Sequence, residues 1–157
     1  MTPATIRPLR PEDSAQAVRV FHDAIMNGAA THYTLAQRQA WAGPAPDIAG
    51  WRNRFDGIDG FAAEIGGKLV GFMTLDRDGY IDLAFVHSAF AGQGIGRTLH
   101  QAIVAKAQDN GIQTLTTQAS ERAMPFFASL GWQVGQRQRV EKRGVVLTNY
   151  RMSKRLG

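Results

Sequence analysis

Cysteine is absent from the 157 residues, and that absence removes disulfides, thiolate metal sites and a cysteine nucleophile together. Any thiol chemistry has to arrive with a ligand, and no metal is expected. Long apolar runs are missing too. No stretch approaches the ~20 residues that span a bilayer, and the opening Met1–Arg7 segment lacks the apolar core of a secretory signal. A cytoplasmic protein with no membrane partner is the expectation. Acids are the scarcer charge, 13 against 18 Lys and Arg, and from Arg137 onward seven Lys or Arg face the single acid Glu141. No repeat, low-complexity tract or linker interrupts the chain, so residues 1–157 read as a single domain. Its 44% hydrophobic residues suffice for a core without metal or disulfide support.

What is present is a regular alternation of elements. Thr5 to Leu9 reads as a first strand. Pro11 with Glu12 and Asp13 opens a helix whose apolar stripe is Ala17, Val18, Phe21, Ala24 and Ile25, closed by Asn27-Gly28. Thr34 to Gln37 is a capping box for a short helix through Ala42, which Gly43-Pro-Ala-Pro46 breaks. Asp47 is placed to cap another short helix carrying Trp51 and Phe55. Asp59–Ile65 and Lys68–Leu75 form a hairpin across Gly66-Gly67, and Asp76–Gly79 turns into the apolar strand Tyr80–Val86. A helix from Ile95 to Asn110-Gly111 crosses over, so Gln113–Ala119 returns parallel to that strand. A short helix through Leu130 and a hairpin of Trp132–Val140 with Val145–Met152 complete the chain.

Between the strand and the long helix, Gly92, Gly94 and Gly96 strip side chains from a turn where backbone N–H groups and the positive end of the helix dipole favour phosphate. Spacing rejects two phosphate motifs. A Walker loop would need glycine at Ala91 and lysine at Arg97, and a dinucleotide fingerprint would need its third glycine at Arg97 or Leu99. Ala91-Gly92-Gln93-Gly94-Ile95-Gly96 instead resembles the donor-binding motif of the GNAT acetyltransferases, Arg/Gln-x-x-Gly-x-Gly/Ala, with Ala91 replacing the usual Arg or Gln. Ser120-Glu-Arg-Ala-Met-Pro-Phe-Phe-Ala-Ser-Leu-Gly-Trp132 resembles the same family's Asn-x-x-Ala-x-x-x-Tyr-x-x-x-Gly-Phe segment, one strand later. Tyr33, Trp41 and the Gly79–Asp82 run look closest to its YafP-type bacterial branch.

The resemblance implies an α/β (α+β) domain with a mixed, mostly antiparallel sheet of about seven strands, a splayed parallel pair and flanking helices. It implies acetyl-CoA as donor and N-acetyl transfer to a small amine or related acceptor. Carried over, Phe85 and Val86 hold the pantetheine arm by their backbone and Gly92, Gln93, Gly94, Ile95, Gly96 and Arg97 cradle the pyrophosphate. Ser120 and Phe127 complete the donor site, while Tyr33, Trp41 and Tyr80 shape the acceptor pocket. Phe127 replaces the family's proton-donating Tyr, which leaves Tyr150 or water to serve the departing thiolate. Asp82, a carboxylate within an apolar strand and on one face with Tyr80 and Ala84, is the candidate base, poised if buried. His87 is the alternative. An acyl-CoA sensor without efficient turnover is the rival reading, motivated by Ala91 and Phe127. A nucleic-acid module on the basic C-terminal part is a third, disfavoured because no recognition motif accompanies the charge. Oligomeric state is left open, a homodimer included.

Overall fold

The computed structural model describes residues 3–157. Strand β1 (Thr5–Pro8) pairs antiparallel with β2 (Asp59–Ile65), and β2 pairs with β3 (Lys68–Leu75) across Gly66 and Gly67, whose φ values of 60° and 79° suit a tight two-residue turn. The expected first helix has three parts: a single 3₁₀ turn at Pro11–Asp13, α1 (Ser14–Asp23), and a wider π turn at Ala24–Gly28. The next helix, α2 (Leu35–Ala42), starts on the expected capping box. Gln37 N–H donates to Thr34 Oγ1 (3.1 Å) and Thr34 N–H to Gln37 Oε1 (2.9 Å).

Two expectations fail for physical reasons. Residues 48–57 form successive turns rather than a helix. Asp47 does bond the Gly50 N–H (2.9 Å), but Arg52, Arg54, Asp56 and Ile58 bond carbonyls three residues back, so no four-residue ladder develops. Gly50, Asn53, Asp56 and Gly57 are poor helix formers, and burial of Trp51 and Phe55 against Phe72 decides the path instead. The second failure is the strand Tyr80–Val86, which breaks into β4 (Tyr80–Ile81) and β5 (Ala84–Val86). At the break the Leu83 N–H donates to the Thr74 hydroxyl (3.1 Å), and Leu83 O accepts from Thr74 N–H (2.9 Å).

That break divides the strands between two sheets. One has the order β1-β2-β3-β5. In the other, β4 pairs parallel with β6 (Thr114–Ser120), which continues antiparallel into β8 (Val145–Arg155) and β7 (Gln133–Lys142). The architecture is therefore the expected mixed, mostly antiparallel one, with eight strand segments among the described residues because one predicted strand became two. Since β4 reaches β6 and β5 does not, a gap opens between Ala84–Val86 and the end of β6.

Helix α3 (Ile95–Asp109) covers one side of the sheets with Leu99, Ile103 and Ala107 fully buried, joined by Phe127 of α4 (Met124–Ser129) and by Trp132. On the opposite side Ala17, Val18 and Val20 of α1 meet Trp51, Phe55 and Phe72. Arg7 ties strand to helix start: it contacts Glu64 and donates to both oxygens of buried Asp13 (2.7 and 2.8 Å), whose carboxylate also takes the Arg10 N–H (2.7 Å).

Trp132 Nε1–H donates to His100 Nε2 (2.9 Å), which requires that nitrogen to carry no proton. Burial, with Lys154 and Arg97 nearby, pushes the pKa of this histidine down from 6.5 to about 4. An unfolded chain therefore takes up a proton between these values that the folded one refuses. This contribution is complete above pH 6.5 and is lost as pH falls towards 4, by at most about 3 kcal/mol. Urea midpoints measured near neutrality and near pH 5 should converge in His100→Gln, which keeps an acceptor without a titrating ring. An unchanged pH dependence in that variant would assign the acid loss elsewhere.

Candidate active site

The gap between β5 and β6 is the floor of a cleft of about 420 Å³. Phe85 and Val86 form one wall, Ser120, Phe126 and Phe127 the other, and the glycine turn closes one end. As the edge strand of its sheet, β5 presents backbone groups to the gap that no neighbouring strand takes up. At the turn, Gly92 and Gly94 adopt φ values of 77° and 82°, and a Cβ at either would meet no atom within 4 Å. No side chain caps α3, and the first helical bond of this region is Thr98 N–H to Gly94 O (3.1 Å). Among the described residues, the N–H groups of Gly92 through Arg97 find no internal acceptor. Five of these residues, Gly92, Gly94, Ile95, Gly96 and Arg97, line the cleft at the start of a fifteen-residue helix, and Arg97 and Arg122 are the only charged residues lining it among the described residues.

Gly96 plays a different part from its neighbours. A Cβ there would sit 3.2 Å from the Phe126 ring, so this glycine lets α4 pack onto α3. Ile95 is buried in the core and contributes its backbone alone, and Gln93 is exposed and lies outside the lining. Ser120 lines the cleft while its Oγ accepts from Ala123 N–H (3.1 Å), leaving the hydroxyl proton free to donate. Phe127 is 2% exposed, packed on His100, Phe126 and Trp132.

A second cavity of about 410 Å³ lies on the α1 and α2 side and shares Trp41, Ala84, Phe85, Ser120, Ala123 and Phe127 with the first. The two chambers therefore meet at the exposed edge of β5. Tyr33, Trp41 and Tyr80, read from the sequence as acceptor-pocket residues, all line this second chamber. Tyr33 also has a structural task. Its hydroxyl donates to Thr148 O (2.7 Å) and accepts from Glu121 N–H (2.8 Å), joining β8 to the segment after β6. Burial pushes its phenol pKa up, and burial with Asp82 and Asp76 does the same at Tyr80.

The candidate catalytic side chains are placed less simply. Asp82 is not buried. The break at Leu83 leaves it outside both strands with its side chain 50% exposed at the edge of the second cavity, bonded to Arg54 (2.9 Å). Tyr150 lines neither cavity. Strand alternation turns it with Met152 towards the α3 core, while Leu147 and Asn149 face Tyr33 and the second chamber. His87 also lines neither. Its Nδ1 accepts from Ala89 N–H (3.1 Å) and lies 3.5 Å from Asp23.

The sequence reading missed Arg54, Arg122 and Asn149, together with the hairpin tip that closes the second cavity. At that tip Arg143, with φ 47°, sends its guanidinium to Ala40 O (2.7 Å), one of the unpaired carbonyls ending α2. No local pattern announces these residues, because each reaches the site from a distant part of the chain.

Comparison with known proteins accords with this geometry. The profile of the Acetyltransferase (GNAT) domain family matches residues 10–154. The N-acetyltransferase YafP of Escherichia coli strain K12 is 32% identical over 147 residues, covering 94% of this chain and 93% of its own. A GCN5-related N-acetyltransferase from Rhodopseudomonas palustris is 36% identical, with a TM-score of 0.90 over 99% of this chain and 97% of that one. The fold is shared at lower identity, 17%, by the PaiA N-acetyltransferase of Thermoplasma acidophilum, solved with coenzyme A (TM-score 0.76, 97% and 98% covered). It is shared also, at 20% identity, by YncA of Salmonella typhimurium, solved with acetyl-CoA (TM-score 0.68, 98% and 94% covered). No helix among the described residues is long and apolar enough to cross a membrane. The chain belongs to the GNAT acetyltransferase family.

Proposed function

We propose that the protein is an N-acetyltransferase that takes acetyl-CoA in the cleft between β5 and β6 and passes the acetyl group to a small-molecule amine in the adjoining chamber. The observation that carries this reading is the junction. A cleft ending in five residues with unpaired N–H donors, and lined by two arginines, meets a separate aromatic chamber at Phe85, Ser120 and Phe127. The residues present fit the donor: N–H groups at a helix N-terminus suit a pyrophosphate, and the open edge of β5 suits an arm rich in amides. When bound, acetyl-CoA supplies an activated thioester.

The chain's own residues supply position. Gly92 to Arg97 hold the phosphates, the backbone of Phe85 and Val86 aligns the arm, and the Ser120 hydroxyl has a proton to donate into the cleft. Phe127 keeps water away from the junction and offers no proton to the leaving sulfur. A thiolate tolerates that omission, since a free thiol has a pKa of about 8.5. Asp82 serves the acceptor side. From the pocket edge its carboxylate takes the amine's proton through solvent, with Arg54 fixing its orientation.

Asp82→Asn should leave affinity for coenzyme A unchanged and lower kcat about tenfold near neutral pH, less than a fully enclosed base would cost because water reaches this site. The deficit should shrink as pH rises and more amine arrives neutral. Full activity at every pH would remove Asp82 from the reaction. The reading as a whole is tested by thiol release from acetyl-CoA across a panel of small amines. Acceptor-dependent release supports it, and tight coenzyme A binding with no release on any amine would favour a sensor.

A further inference from the structure

Of the basic residues crowded into the C-terminal hairpin, Lys142 and Arg143 line the acceptor chamber and not the donor cleft. Alternation along β7 explains the orientation of Lys142. Val140 and Lys142 share the chamber face with Leu147 and Asn149 of β8, whereas Arg139 and the acid Glu141 point the other way. Lys142 is therefore turned from the carboxylate beside it in the chain. Arg143 holds the tip in place through its bond to Ala40 O (2.7 Å), and neither Lys142 nor Arg143 forms an ion pair among the described residues. The acids of the chamber are already engaged, Asp82 by Arg54 (2.9 Å) and Asp47 by the Gly50 N–H (2.9 Å). Arg54, Lys142 and Arg143 against Asp47 and Asp82 leave an excess of one positive charge among the residues that line it.

Distance along the sheet gives the acceptor its shape. Ser120, where the two chambers meet, pairs across the strands with Asn149 and through it with Gln138. Lys142 stands four residues further along β7, roughly 13 Å at the rise of a strand, and its flexible four-carbon stem recovers part of that span. Midway, Val140 and Leu147 pack with Tyr33 and Trp41 into an apolar wall. Resting on the function proposed above, we propose that the acceptor is an extended amino acid, with its amine at the junction, an apolar body along Val140 and Leu147, and a carboxylate at Lys142, remote from the nitrogen. One carboxylate matches the single excess charge, whereas a phosphate dianion would exceed it. An α-amino acid carries both groups on one carbon and cannot serve both ends.

Calorimetric affinities for 4-(2-aminoethyl)benzoate and its neutral carboxamide, read with and without coenzyme A, isolate the charge because both compounds carry the same amine. The wild type should bind the acid about tenfold tighter than the amide, a preference that shrinks at high salt. Phenylalanine should bind no tighter than phenethylamine, because its carboxylate falls short of Lys142. Lys142→Gln should lower affinity for the acid about fivefold and leave affinities for the amide and for coenzyme A unchanged. Lys142→Arg, which keeps the charge, should retain the preference. Equal binding of acid and amide by the wild type, binding of neither, phenylalanine bound tighter than phenethylamine, or a preference undiminished in Lys142→Gln would each overturn the assignment. Absence of acetyl transfer to any amine would count against the proposed function instead, because these affinities are read without a reaction.

Discussion

Gly94→Val should weaken coenzyme A binding about a hundredfold, ~3 kcal/mol, while the protein stays folded. Two effects add. Gly94 sits at φ 82°, where a β-branched residue is strained by about 1–2 kcal/mol or forces the turn to move. Any movement redirects the N–H groups of Gly92 to Arg97, and hydrogen bonds to a charged phosphate are each worth about 1.5–3 kcal/mol. The new side chain also projects into space that is open in the protein and that a pyrophosphate would fill. Gly96 would give a less clean answer, since its Cβ would press on Phe126 and mix packing with binding. Calorimetric titration of coenzyme A, with circular dichroism as the folding control, reads the outcome. Wild-type affinity in a folded Gly94→Val protein would defeat the cradle.

The largest expected loss of stability lies far from the cleft. Arg7→Met should lower the unfolding free energy by about 3 kcal/mol, because it leaves Asp13 buried without its charge partner. Burial alone would raise the Asp13 pKa. The hydrogen bonds from Arg7 and from the Arg10 N–H outweigh it and hold the carboxyl below its usual range. Its stabilisation is therefore present above the pKa of an unfolded aspartate and is lost as pH falls through the lower folded value. Urea denaturation near neutral pH measures the difference. A loss under about 1 kcal/mol would place these charges with weakly contributing surface pairs.

Locally written features were legible in the sequence. The α2 capping box, the Gly66-Gly67 turn and the glycine turn before α3 each depend on residues within a few positions, and the structure forms all three. Features that depend on a distant partner were not. Nothing within Tyr80–Val86 reveals that the Thr74 hydroxyl will intercept Leu83 N–H, yet that bond splits the strand, opens the cleft and puts Asp82 at the surface. Alternation along β8 predicts that Asn149 and Tyr150 face opposite ways, but only pairing with β6 decides which of them faces the chamber. For residues 48–57, intrinsic helix tendency was too weak to compete with burying Trp51 and Phe55.

Incubation with acetyl-CoA carrying an isotopic label in its acetyl group, followed by mass spectrometry of a primary-amine panel, tests transfer across the junction most directly. A labelled acetamide should form in amounts equal to the free thiol released, with both reduced in Gly94→Val. Coenzyme A bound tightly while the label stays on the donor with every amine would contradict it.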